Sequence, residues 1–504
     1  MLFADRVVVR LGIWLKLWSD VMQVNQKVLD RTIKRFRERR ILLPTFAQMR
    51  DPTTIPEKIK IRLREVGLWD VDPANLFRIT WKNEPVERGG LFNDGNWIEF
   101  PSALTGVDAR IIGLLGKFFP TGAHKVGAAY GCLIPRLVSG EFDPTEQRAV
   151  WPSTGNYCRG GAFDSALLGC TAVAILPEEM SRERFEWLKE IGAEVIATPG
   201  CESNVKEIYD KCWEIRRTRP DCVIFNQFEE FGNACWHYHV TAAAIHEVFE
   251  RVAQGGRLAG YISATGSAGT IAAGDMLRTM YPDLRVVATE AQQCPTLYQF
   301  GFGGHRIEGI GDKHVPWIHN VRNTDMVAAI DDQQCMSLLR LFNESVGKES
   351  LQKDLPIDLI EKLPQVGISG ICNLVAAIKT AKYFDMTGKD VIFTCLTDSA
   401  GLYSSRLEEL TAENGAYTAE RAALDRERYL CGIATDFVRE LTYQDRKALH
   451  NFKYFTWVEQ QGRTAEELRE LWDPEFWQRT FAQAAEWDRQ IEEFNQQTGV
   501  LELL

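Results

Sequence analysis

The stretch Pro120-Thr121-Gly122-Ala123-His124-Lys125-Val126-Gly127 governs how the rest of the chain is read. A lysine stands just past a small-residue turn and opens the apolar run Val126-Gly127-Ala128-Ala129-Tyr130, which reads as a helix. Burying an ammonium without a partner is costly, and a helix start is the positive end of the helix dipole. Both effects favour the neutral amine, the form that makes Schiff bases with aldehydes. The octamer alone fits an ordinary surface lysine at a helix start equally well. Three later stretches separate the two.

The first is Trp151-Pro152-Ser153-Thr154-Gly155-Asn156-Tyr157-Cys158, between the strand-like Arg148-Ala149-Val150 and a helix through Ala162 to Leu168. Hydroxyls and backbone N–H groups gathered at a helix start suit a carboxylate, although the run by itself is also an ordinary polar turn. The second is Gly266-Ser267-Ala268-Gly269-Thr270, after strand Leu258-Ala259-Gly260-Tyr261-Ile262 and before a helix from Ile271 to Met280. Its glycines let backbone approach a ligand, and the dipole favours a phosphate. No Gly-Lys-Ser/Thr follows, so it is not a Walker loop, and the spacing of a dinucleotide fingerprint is missing. The third is Leu396-Thr397-Asp398-Ser399-Ala400-Gly401, at the end of strand Val391 to Cys395. All these segments follow strands or open helices, the edge where open α/β sheets bind ligands. A phosphate cradle together with an activatable lysine points to pyridoxal 5'-phosphate.

Around these segments the pattern is strand-helix alternation from about residue 86 to 405. Val173-Ala174-Ile175-Leu176, Val195-Ile196-Ala197, Val223-Ile224-Phe225, Val286-Val287-Ala288 and Val391-Ile392-Phe393 read as strands of parallel sheets. Between the first two, a helix is expected with Ser181 as its cap, Phe185 and Leu188 facing inward and Gly192 at its end. The ends of the chain differ. Gly12 to Arg40 reads as a helix with Trp18, Val21, Met22, Val28, Leu29, Ile33 and Phe36 on one stripe. From about Glu408 only helices are expected, with a capping box at Thr464-x-x-Glu467 and a cap at Asp473-Pro474. Trp457, Trp472, Phe476, Trp477 and Trp487 need a surface to cover, on the core or on a second subunit. The expected organisation is a helical extension over 1–85, a larger cofactor-binding domain from 86–132 and 233–405, a smaller α/β domain over 133–232 carrying the substrate loop, and a second helical extension over 406–504.

Composition narrows the function classes. The 504 residues, 45% hydrophobic and 25% charged, match a globular protein with a substantial core. A net charge of -11 argues against a general nucleic-acid binder, and the basic run Arg31 to Arg40 reads as a solvated helix face. The 12 cysteines form no CxxC pair and several lie in apolar runs, which suits buried thiols in a reducing compartment. Charges at Asp5, Arg6 and Arg10 interrupt any signal-peptide core, and no apolar run is long enough to span a membrane, so the cytoplasm is expected. His237 and His239, two apart on a helix, face away from each other, and no metal site is expected there.

The motifs resemble those of the fold-type II pyridoxal-phosphate enzymes, the family of cysteine synthase, cystathionine β-synthase and the tryptophan synthase β chain. Thr121 to Lys125 is similar to the tryptophan synthase β lysine motif, and Ser153-Thr154-Gly155-Asn156 to the Thr-Ser-Gly-Asn loop of cysteine synthase. Leu176 to Ser181, Gly192 to Val195, Gln227-Phe228, Gly266 to Thr270 and Gly309-Ile310-Gly311 follow in family order, and Thr397-Asp398-Ser399 resembles the Pro-Asp-Ser of cystathionine β-synthase. The likeness runs from about residue 115 to 405 and leaves both ends uncovered.

The resemblance implies a two-domain fold of parallel sheets, a homodimer, and a role for each matching residue. Lys125 would carry the cofactor and then take the Cα proton, with His124 packed beside the phosphate. Gly266, Ser267, Ala268, Gly269 and Thr270 would hold the phosphate, Asn156 the phenolic oxygen and Ser399 the pyridine nitrogen. Ser153, Thr154, Gly155 and Gln227 would receive the substrate carboxylate. A neutral hydroxyl at the ring nitrogen favours expelling a β-substituent, through an aminoacrylate, over transamination. Asp398 is kept outside the ring, because neighbouring residues of an extended segment point oppositely. Departures also count. Ser153 stands where tryptophan synthase β has a glutamate, so indole addition is not expected, and Tyr157 and Cys158 reshape the pocket. The expected function is β-replacement on a serine- or cysteine-like amino acid. The alternatives are β-elimination to a 2-oxo acid and ammonia, and a cofactor-binding scaffold or sensor without turnover.

Overall fold

The computed structural model describes residues 25–504 apart from Thr154 and 202–203. Among these residues eleven strands form two sheets. They are β1 (Trp97–Phe100), β2 (Arg110–Leu115), β3 (Arg148–Pro152), β4 (Thr171–Pro177), β5 (Glu194–Thr198), β6 (Cys222–Ile224), β7 (Arg257–Ala264), β8 (Arg285–Ala291), β9 (Met326–Ile330), β10 (Asp390–Leu396) and β11 (Val438–Glu440). The smaller sheet has the order β5-β4-β3-β6 and is parallel throughout.

The larger sheet has the order β1-β2-β10-β7-β8-β9-β11. Its inner strands are parallel, with Ile392 of β10 opposite Ile111 of β2 and Gly260 of β7. Every residue of β10 is buried. A strand covered on both faces reads as a near-continuous apolar run, and Val391-Ile392-Phe393-Thr394-Cys395-Leu396 supplies one, with the hydroxyl of Thr394 satisfied by the Ile262 carbonyl. The two edges depart from the expected all-parallel pattern. β1 and β11 both run antiparallel to their neighbours. β1 does so because only a short connection separates it from β2, too short for a crossover.

β11 also corrects the expectation of a purely helical C-terminal part. Thr464 and Asp473 do cap their helices, Ala465–Glu470 and Pro474–Thr498. Trp457, Trp477 and Trp487 are buried against the body of the same chain. The helix Gln26–Arg39 lies beside Pro474–Thr498, with Phe36 edge-on to Phe494 at 5.2 Å. Its basic face is not simply solvated: Arg31 pairs with Asp143, and Arg37 donates to the carbonyl of Thr498. Trp18, Val21 and Met22 lie outside the described residues. Ser181 stands at the cap position of helix Arg182–Glu190, but its hydroxyl makes no cap bond and finds no partner among the described residues.

Two helices position the site. Lys125–Val138 follows β2, and Asn156–Leu168 follows β3. They cross closely because Gly160 has no side chain: a Cβ there would lie 2.7 Å from the Val126 nitrogen. The two sheets thus present their strand ends to a common cleft.

Candidate active site

The cleft is a cavity lined by segments that follow β2, β3, β6, β7, β8 and β10. Of the residues expected there, His124, Lys125, Ser153, Asn156, Gln227, Gly266, Ser267, Ala268 and Thr270 line it. Lys125 begins its helix, and its Nζ donates to Gln227 Oε1 at 2.9 Å and to Ser267 Oγ at 3.0 Å. The amine therefore lies directly against the Gly266–Thr270 loop. Gln227 is oriented in turn by its Nε2, which donates to Ser153 Oγ at 3.3 Å. Asn233, which the sequence did not single out, donates both to Ser267 Oγ at 3.0 Å and to the carbonyl of Gln227 at 3.0 Å.

The loop before helix Ala272–Met280 turns through Ala268, whose φ of 61° is unusual for a residue with a side chain. Gly269 is required by space: a Cβ there would sit 2.0 Å from Asn233 Oδ1. No backbone N–H from Gly266 to Thr270 donates to another described residue. A row of uncommitted amides at a helix start, with a lysine amine beside it, is a site for a phosphate. These residues fit pyridoxal 5'-phosphate on that ground.

His124 stacks on Trp81 at 5.9 Å and contacts His237. Its Nδ1 lies 3.3 Å from the Thr397 carbonyl, and its Nε2 lies 3.4 Å from the Thr270 hydroxyl. A carbonyl only accepts, so the proton belongs on Nδ1 and Nε2 is the acceptor. Burial, with the Lys125 charge next, lowers its pKa to about 3, so His124 is neutral.

Asn156 donates from Nδ2 to Asp398 Oδ2 at 2.5 Å, and Tyr403 donates to the same oxygen at 2.5 Å. Burial raises the proton affinity of Asp398, while these two hydrogen bonds oppose the rise. Asp398 does not line the cavity, yet it orients Asn156, whose second N–H remains for a ligand. Three expected residues do not line the cavity: Gly155, Gly269 and Ser399. Gly155 donates its N–H to Ser153 Oγ and so fixes that hydroxyl. At the end of β10 the residue that lines the cavity is Thr397, its hydroxyl bonded to that of Ser369, and Ser399 lies two positions on, past a bend at Asp398. Thr154 lies outside the described residues. Asp312, directly after Gly309-Ile310-Gly311, lines the cavity and was not expected there.

The two histidines considered for a metal have other partners. His237 bonds to Thr241 Oγ1, and His239 to the carbonyl of Phe481. Among the described residues no group of three or more His, Cys, Asp or Glu could hold a metal ion. No helix among them is long and apolar enough to cross a membrane.

A lysine against a phosphate loop, at the strand ends of two parallel sheets, defines the fold-type II class of pyridoxal-phosphate enzymes. Comparison with known proteins agrees. Residues 103–347 match the family model described as pyridoxal-phosphate dependent enzyme. A cysteine synthase of Staphylococcus aureus is 31% identical over 291 residues, covering 57% of this chain and 84% of that protein. A probable cysteine synthase of Bacillus subtilis is 29% identical over 294 residues, covering 58% and 87%. The crystal structure of an O-acetylserine dependent cystathionine β-synthase from Helicobacter pylori superposes with a TM-score of 0.51 at 23% identity, covering 61% of this chain and 94% of that one. The chain belongs to the pyridoxal-phosphate dependent enzyme family, and pyridoxal 5'-phosphate is its cofactor.

Proposed function

We propose that this enzyme works at Cβ of an amino acid, replacing the β-substituent of a serine- or cysteine-like substrate with a small nucleophile such as a thiol or sulfide. The observation that carries this reading is Lys125 Nζ, bonded at once to Gln227 and to Ser267 of the phosphate loop. Relatives named cysteine synthase, at 29% and 31% identity, support it. Pyridoxal 5'-phosphate, when bound, supplies the electron sink that loosens the Cα proton and lets a β-substituent leave.

The chain's own residues do the rest. Lys125 carries the cofactor and afterwards takes the Cα proton. The amides of Gly266 to Thr270 hold the phosphate, and neutral His124 packs beside them. Ser153 and Gln227, already joined by a hydrogen bond, receive the substrate carboxylate. Asn156 spends its second N–H on the phenolic oxygen. The wall at the end of β10 is lined by Thr397 and not by a carboxylate, which suits release of a β-group better than transamination.

Product analysis tests the proposal. The purified enzyme is mixed with L-cysteine or an activated serine, with and without an added thiol. Replacement predicts a new thioether amino acid and suppression of pyruvate by the thiol. Pyruvate at the same rate in both mixtures means elimination instead.

A further inference from the structure

Asp312 lines the same cavity as Lys125, Ser153 and Gln227 and is only 7% exposed. Its Oδ2 meets no hydrogen-bond partner among the described residues. Buried carboxylates are ordinarily paired, and others in this protein are. Glu308 lies between Arg184 and Arg406, Glu290 accepts from the amides of Leu297 and Tyr298, and Asp398 accepts from Asn156 and Tyr403. Among the described residues Asp164 has both oxygens without a partner and Asp398 has one, but neither residue lines the cavity. Among the described lining residues, Asp312 is the one carboxylate.

Burial raises its pKa to about 8 while the Lys125 charge opposes the rise, so it holds a proton at neutral pH. Tyr209 and Cys294 also face it, and burial keeps both of them protonated. A proton-bearing group beside the reacting centre has no use for a leaving group that departs as a stable anion. It does serve one that departs as hydroxide or thiolate.

We propose that Asp312 is the general acid and base of the β-carbon step, and that the natural substrate therefore carries an unactivated hydroxyl or thiol at Cβ. This rests on the β-replacement reading. As the Cβ–Y bond breaks, the pair left at Cα by the proton that Lys125 removes becomes a Cα=Cβ bond, and Y leaves with its own bonding pair and takes the Asp312 proton, departing as HY. As the X–Cβ bond forms from a lone pair of X, the Cα=Cβ pair returns to Cα and takes back the proton held by Lys125, while the Asp312 carboxylate takes the proton from the incoming HX. Asp312 ends in the state in which it began.

The test compares native enzyme and Asp312→Asn, an isosteric change to a group already uncharged, with cofactor absorbance confirming that the site is assembled. Rates are measured with L-serine, L-cysteine and O-acetyl-L-serine, using 2-mercaptoethanol as the common acceptor. The ratio of kcat/KM for L-serine or L-cysteine to that for O-acetyl-L-serine falls about 100-fold in the variant, the usual worth of a general acid. Independently of any variant, the native rate with L-serine declines as pH rises through about 8, where Asp312 loses its proton, and the rate with O-acetyl-L-serine does not share that decline. Equal losses with all three substrates, or pH profiles that coincide, overturn the assignment. So does a native enzyme that uses O-acetyl-L-serine alone, although β-replacement then stands. A native enzyme that forms no thioether from any of the three removes β-replacement itself.

Discussion

Lys125 owes its position to two neutral acceptors on different segments, Gln227 after β6 and Ser267 after β7. An amine so held is aimed at the phosphate loop before any ligand arrives, which lowers the ordering needed at binding. Borohydride reduction of the holoenzyme followed by peptide mapping is expected to find the pyridoxyl label on Lys125, and a label on another lysine overturns the site. Lys125→Ala is expected to carry no reduced label and to lose about 10²–10⁴-fold in turnover, the range for removing a positioned proton-transfer group. Lys125, Asn156 and Ser267 were legible in the sequence because each sits in a short polar run after a strand or at a helix start, where the fold gathers ligand-binding groups. Gln227 was legible only through the family resemblance of Gln227-Phe228. Asp312 was not, because a carboxylate followed by Lys313 and His314 reads as a solvated loop charge. Its burial comes from segments far away in the chain. Ser399 was assigned by motif position, and local sequence does not tell which of two hydroxyls two residues apart lines the wall.

At the scale of elements, the C-terminal helices brace the loop that carries Asp312. Lys453, at the end of helix Tyr443–Lys453, donates from Nζ to the carbonyls of Trp317 at 2.9 Å and His319 at 2.7 Å. Trp457 Nε1 donates to the carbonyl of Val315 at 2.9 Å. Burial lowers the Lys453 pKa well below its ordinary 10.5, and a neutral amine has two N–H groups for these two carbonyls. Lys453→Met strands both, at a cost of about 1–3 kcal/mol each, measurable by denaturant unfolding. The sign with pH follows from the lowered value. Between the folded pKa and 10.5 the unfolded chain holds a proton that the folded chain lacks, so the Lys453 contribution grows as pH rises. The stability gap between native protein and Lys453→Met should widen with pH across that window, and a constant gap counts against the neutral amine. The strands β4, β5, β8 and β10 were readable from their β-branched runs. β11 was not, since Val438-Arg439-Glu440 has no apolar alternation and becomes a strand only because β9 offers an unpaired edge.

Across the whole molecule, one buried polar chain ties the two sheets together. Arg184, on helix Arg182–Glu190 beside the smaller sheet, pairs with Glu308 at 2.5 Å and donates to Tyr403 at 3.1 Å. Tyr403 bonds to Asp398, which accepts from Asn156 back on the smaller side. Breaking a buried pair by removing one charge costs about 3–5 kcal/mol. Glu308→Gln is therefore expected to destabilise the fold on that scale, to speed amide exchange over residues 181–191, and to raise KM more than it lowers kcat. Unchanged exchange in that helix would falsify the link between the halves. No sequence reading could supply it, because partners such as Arg184 and Tyr403 are 219 positions apart. The antiparallel strand β11 carries a last consequence. Val438 to Glu440 pair with Ala328 to Met326 and occupy what is otherwise an open row of N–H and C=O groups. A chain ended after residue 405 would leave that row bare, open to pairing with the same row of a second copy, so the tail also blocks an edge-to-edge dimer of the catalytic body.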